Sequence, residues 1–148
     1  MVSKSTIYRK AKGPVLCKKD KDGKVTEFTI EEDRWAYVDC KNQYPNGDSM
    51  LLNSGGAMCC LGFYSRACGI SPIHLFEKIS PYSIRKRLIP EMDWLIKYSD
   101  NSLECTDLMY ENDNESQCSF SLRKRHIQKI FKQQGIKVKF VKSLHEVK

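Results

Sequence analysis

The chain has 148 residues, 41% of them apolar and 29% charged, with 25 basic side chains against 18 acidic ones and a formal charge of +7. That length is one domain's worth of core, and the composition excludes a collagen, a coiled coil and a chain disordered throughout. No run of about 18 apolar residues is present, so a membrane-spanning helix is excluded as well.

Residues 1–12 are basic and lack the apolar core of a secretory signal, and they read as a flexible arm. Residues 13–30 read as a hairpin. Val15-Leu16-Cys17 forms one arm, Asp20-Lys21-Asp22-Gly23 the turn, and Lys24 to Ile30 the alternating return arm. Asp20 and Asp22 lack the further oxygen ligands and the distal Glu of a calcium loop. Glu31, Glu32 and Asp33 then open a short helical turn before Trp35. Residues 41–56 are rich in turn formers and read as a long loop with a short strand at Met50-Leu51-Leu52.

Ala57 to Cys68 is apolar around most of a helical circumference, which predicts a buried central helix stopped by Gly69. Gly62 inside it costs about 1 kcal/mol relative to Ala, so close packing against a neighbour is its expected reason. Ser71-Pro72 and Ser80-Pro81 each open a short helix, and Pro90 to Ile96 is irregular or briefly helical. A helix is expected over Leu103 to Tyr110, and a last one runs from a Ser119 or Ser121 cap to about Gln134. Phe120, Ile127, Ile130 and Phe131 mark the buried face of that last helix. Gly135 ends it, and Ile136 to Val141 alternates as a strand with Ile136, Val138 and Phe140 inward.

Charge is segregated along the chain. Residues 1–25 carry +6, residues 26–90 balance, residues 91–118 carry −7 and residues 119–148 carry +8. An acidic segment lying beside a basic helix and strand, or two distinct charged faces, follows from such asymmetry. The seven cysteines are odd in number, and without an export signal they are expected as reduced thiols in a cytoplasmic chain. No CxxC or HxxxH spacing is present, so neither a metal site nor a cofactor is expected.

Three constellations carry chemistry. Cys60 stands in the first turns of the central helix, where backbone N–H groups stabilise a thiolate. Cys60-Leu61-Gly62-Phe63 through Cys68-Gly69-Ile70 resembles the nucleophile helix of papain-like cell-wall peptidases, which implies Cys60 as nucleophile and a downstream His as base. His74, His126 and His145 are poorly placed for that role. Second, Arg123, Lys124, Arg125, Lys129, Lys132, Lys137 and Lys139 form a basic run suited to phosphates, without the signature of a sequence-reading module. Third, Glu104, Asp107, Glu111, Asp113 and Glu115 make an acidic stretch able to mimic nucleic-acid phosphates toward a basic groove.

Trp35, Leu51-Leu52, Met58 to Phe63 with Cys68-Gly69, Leu108-Met109 with Asn112-Asp113, and Gly135 to Phe140 follow one another in an order of their own. In that order the chain resembles small uncharacterised bacteriophage and prophage proteins with a Met-Cys-Cys-Leu-Gly-Phe helix and a closing Gly-Ile-x-Val-x-Phe strand. The resemblance implies a phage accessory protein in the host bacterial cytoplasm, and it brings no catalytic residues. Asn112-Asp113 is expected to cap the last helix.

The expected fold is a single α+β domain over residues 1–148, with a buried central helix, a small antiparallel sheet and several short helices. The expected function is non-enzymatic. The chain binds and modulates a host protein or ribonucleoprotein complex, such as a defence complex, through charged surface and away from membranes. Sequence-independent nucleic-acid binding and a papain-like thiol hydrolase are the alternatives.

Overall fold

In the computed structural model, residues 3–11, 13–41, 44–96 and 104–143 are described, the last stretch without the side chains of residues 104–106. The fold is α+β. Gly23, at φ 82°, closes the Asp-Gly turn between β1 (Cys17–Lys19) and β2 (Val25–Glu31), which pair antiparallel. A positive φ at that position is what the tight turn demands of glycine. The third strand, β3 (Lys137–Val141), lies beside β2 in parallel, Phe28 opposite Val138 and Ile30 opposite Phe140. The sheet is therefore mixed, where the sequence suggested a wholly antiparallel one. Alternation fixes which face a strand buries; the direction of its neighbour depends on the route the chain takes back.

Residues 1–12 are not a loose arm where they are described. Ser3 accepts the Thr6 N–H and caps α1 (Lys4–Lys10), whose Ile7 is buried together with the following Ala11. Tyr8 and Ser71 share a hydrogen bond of 3.0 Å across to α3 (Pro72–Leu75). Helix α2 (Cys60–Ala67) is the buried central helix, with every residue but Arg66 inside. Both of its hydroxyls are met: Ser65 donates back to the Leu61 carbonyl at 2.7 Å and Tyr64 to the Glu91 carbonyl at 3.4 Å. Leu51 and Leu52 are fully buried beneath it, but they form a single bridge from Leu52 to Phe76 and no strand.

Short 3-10 segments cover Glu32–Arg34, Pro81–Arg87 and Pro90–Leu95. Both α4 (Glu104–Asp113) and α5 (Phe120–Gln133, capped by Ser119) follow, and α5 returns through Gly135 into β3. One face of the sheet meets the helices through rings. Phe28 on β2 lies 5.7 Å from Tyr64 of α2 and 5.0 Å from Phe131 of α5, centroid to centroid. Tilted and edge-on rings at such distances contribute beyond their buried area.

The cysteines depart from the expected set of free thiols: Cys40 and Cys118 form a disulfide across 78 residues. Cys17, Cys59, Cys60 and Cys68 take no part in that disulfide, and the Cys105 side chain lies outside the described residues. Closing so long a loop restricts the unfolded chain. Replacing Cys40 and Cys118 together by Ser is expected to lower stability by ~2 kcal/mol in oxidising buffer and to change nothing under reductant. Urea titrations with and without reductant check this.

Candidate polyanion-binding surface

Cys60 is fully buried, its Sγ 3.9 Å from the Leu108 carbonyl oxygen. Cys59 and Cys68 are buried too, and burial pushes the Cys68 thiol up to about 12. Of the downstream histidines, His74 lies in α3, His126 is bound through Nδ1 to Glu111 at 2.8 Å, and His145 lies outside the described residues. A nucleophile needs access to its substrate, and Cys60 has none.

What stands at the start of α2 is an asparagine. Asn112, at the end of α4, is 1% exposed; its Oδ1 accepts the Cys60 backbone N–H at 3.0 Å and the Trp35 indole N–H at 2.7 Å. Its amide nitrogen faces the Ala36 carbonyl, the Ser49 hydroxyl and Asp113 Oδ1 at 2.9, 3.1 and 2.7 Å. Asn112 thus meets an open N–H of the central helix from across the fold. The expectation that it caps the last helix is corrected, since Ser119 does that. Asp113 takes the Ser49 hydroxyl at 2.5 Å, and burial raises its carboxyl above the usual range.

The basic run divides into internal and external members. Arg123 is fully buried and donates to four carbonyls: Glu111 and Asn112 at the end of α4, then Asn114 and Gln117 in the turn before α5. Burial lowers its pKa. Lys124 is half-buried, paired with Glu32 at 2.9 Å over the rings of Phe120 and Phe140. Arg123 has no surface to offer a partner, which corrects its place in the binding set, and Lys124 is already engaged by Glu32. Lys139 pairs with Glu27 at 3.6 Å on the outer face of the sheet, where Lys18 also reaches Glu27.

Arg125, Lys129, Lys132 and Lys137 are exposed, and none of them has a carboxylate partner among the described residues. The spacing of Arg125, Lys129 and Lys132 sets them in one stripe, opposite the buried Arg123, Ile127 and Phe131. Lys132 and Lys137 then wall one groove of about 480 Å³ with Gln128, so the stripe continues from α5 onto β3.

The acidic stretch fares differently. Glu111 is engaged by His126 and Asp113 by Ser49, while Asp107 and Glu115 are exposed and the Glu104 side chain lies outside the described residues. Two acids held inside the fold leave a broken negative face. Among the described residues, no group of three or more His, Cys, Asp or Glu is placed to hold a metal ion, and no helix is long and apolar enough to cross a membrane. The sequence reading passed over a second cationic group, Lys78 with Arg85-Lys86-Arg87, whose signal was the triplet itself beside Tyr82.

No protein family, no curated protein and no solved structure matches this chain.

Proposed function

We propose that this chain is a non-enzymatic binding protein that engages a polyanionic host macromolecule, a nucleic acid or a ribonucleoprotein complex, through the α5–β3 stripe. One observation carries the reading: four cations in line remain in solvent without carboxylate partners among the described residues, while the neighbouring Arg123 and Lys124 serve the fold. Neutralising phosphates releases their counterions, so such a surface binds without reading sequence. The same stripe suits the phosphate backbone of a ribonucleoprotein. The sequence resemblance supports a phage accessory role in a bacterial cytoplasm, modulating a host defence complex, where Cys40 and Cys118 would be met as thiols. The basic face is favoured over phosphate mimicry because Glu111 and Asp113 are held internally.

The test is affinity for a mixed-sequence duplex across a salt series. Wild-type affinity is expected to fall steeply with salt, and Arg125→Ala/Lys129→Ala/Lys132→Ala/Lys137→Ala together to flatten the log–log slope by roughly 3 to 4. An unchanged slope in the quadruple variant removes the stripe from the binding reaction.

A further inference from the structure

A second basic concavity is lined by residues within 73–87, none of which belongs to α5 or β3. Its shape follows from two anchors. Within the 3-10 segment Pro81–Arg87, Pro81 and Ile84 are buried, and the Ser83 N–H closes onto the Ser80 carbonyl at 3.0 Å. With those two residues held inside, Tyr82, Arg85, Lys86 and Arg87 are turned out to solvent. The end of α3 and the residues after it form the facing wall. Lys78 is fixed there by its backbone, the Leu51 N–H donating to the Lys78 carbonyl at 2.8 Å.

The space between is about 480 Å³ and is walled by His74, Lys78, Tyr82, Arg85, Lys86 and Arg87 together with small and apolar neighbours. That volume falls within the range of small-ligand sites. No carboxylate lines it, and none of its four formal cations has a carboxylate partner among the described residues. Glu77, next to Lys78 in sequence, is absent from the wall. Like charges gathered without an acid repel one another, and an anion seated among them relieves that repulsion. Guanidinium forks meet phosphate oxygens two at a time, and a tyrosine ring in the same wall offers a surface on which a base stacks. Tyr82 is 36% exposed and contributes to this wall.

We propose that this concavity is a nucleotide site, with phosphate held by Arg85, Lys86, Arg87 and Lys78 and the base lying against Tyr82. The same chemistry arrives as a free nucleotide or as one unit of a single strand. The site shares no residue with the α5–β3 stripe and does not rest on the function proposed for it.

Calorimetric titration of the full chain with adenosine triphosphate, a single-stranded pentanucleotide and inorganic tripolyphosphate tests the proposal. Arg85→Ala/Arg87→Ala is expected to weaken both nucleotide probes at least tenfold. Tyr82→Ala is expected to weaken them about tenfold while leaving tripolyphosphate unchanged, and Tyr82→Phe to retain wild-type affinity. Tighter binding of the pentanucleotide names a strand as the source, and tighter binding of the triphosphate names a free nucleotide. All three titrations are made on the quadruple stripe variant, so the stripe's own affinity for polyanions does not enter them and the two surfaces are read separately. Absence of nucleotide and pentanucleotide binding at millimolar concentration overturns the proposal. So does a Tyr82→Ala variant that binds every probe as wild type does.

Discussion

Replacing Gly62 by Ala is expected to cost about 4 kcal/mol, enough to leave a domain of this size barely folded. Helix propensity argues the other way, since Ala is favoured over Gly by about 1 kcal/mol inside a helix. Contact decides against it. A Cβ at Gly62 would stand 2.0 Å from the Leu51 carbonyl oxygen, 2.8 Å from its carbon and 2.9 Å from the Met58 Cβ. Backbone atoms do not swing aside as a flexible side chain does. The Leu51 segment is held on both sides: the Leu51 N–H bonds to the Lys78 carbonyl and the Met50 carbonyl accepts the Cys59 N–H, each at 2.8 Å. Leu51 and Leu52 are themselves fully buried, so relief would have to displace the core. Urea denaturation of Gly62→Ala against wild type reads the effect, and a variant as stable as wild type would mean that this packing is loose.

Arg123→Ala is the second large effect, expected at about 3 kcal/mol of stability. The last carbonyls of α4 have no partners within their own helix, and Arg123 supplies them, with Nη1 2.7 Å from the Glu111 oxygen and 3.0 Å from that of Asn112. Its Nη2 holds the turn, 2.8 Å from the Asn114 oxygen and 2.9 Å from that of Gln117. A cation at a helix C-terminus is also favoured by the aligned peptide dipoles. Truncation leaves the Glu111 and Gln117 carbonyls without this donor, while those of Asn112 and Asn114 keep the Val38 and Gln117 N–H groups, and it removes the guanidinium that lies 5.5 Å from the Tyr37 ring. Asn112 would be affected in turn, because its own carbonyl is one of the four. Lys cannot substitute, since a single ammonium does not span two separated pairs of carbonyls as the planar fork does. Thermal melts of Arg123→Ala and Arg123→Lys should both fall well below wild type. A stable Arg123→Ala protein with weakened nucleic-acid affinity would return Arg123 to the binding surface.

Local patterns were readable where one segment carried its own cause. The Asp-Gly turn with alternating arms is enough for β1 and β2, and an apolar circumference is enough for the burial of α2. The α5–Gly135–β3 unit was equally plain from its periods. Even the burial of Arg123 had a signal that was passed over, for it stands four residues before Ile127 and eight before Phe131 on one helical face. Counting it with Lys124 and Arg125 as a basic run set composition above phase.

The sequence by itself therefore determined the α+β content, the central helix, the need for a small residue at position 62 and the concentration of positive charge near the C-terminus. Only the tertiary structure decided that β3 runs parallel to β2, that Cys40 meets Cys118, that Asn112 caps α2 and that residues 78–87 enclose a cationic hollow. The reason is physical: period and propensity specify which side of an element turns inward, and they carry no information about which distant atoms wait on that side.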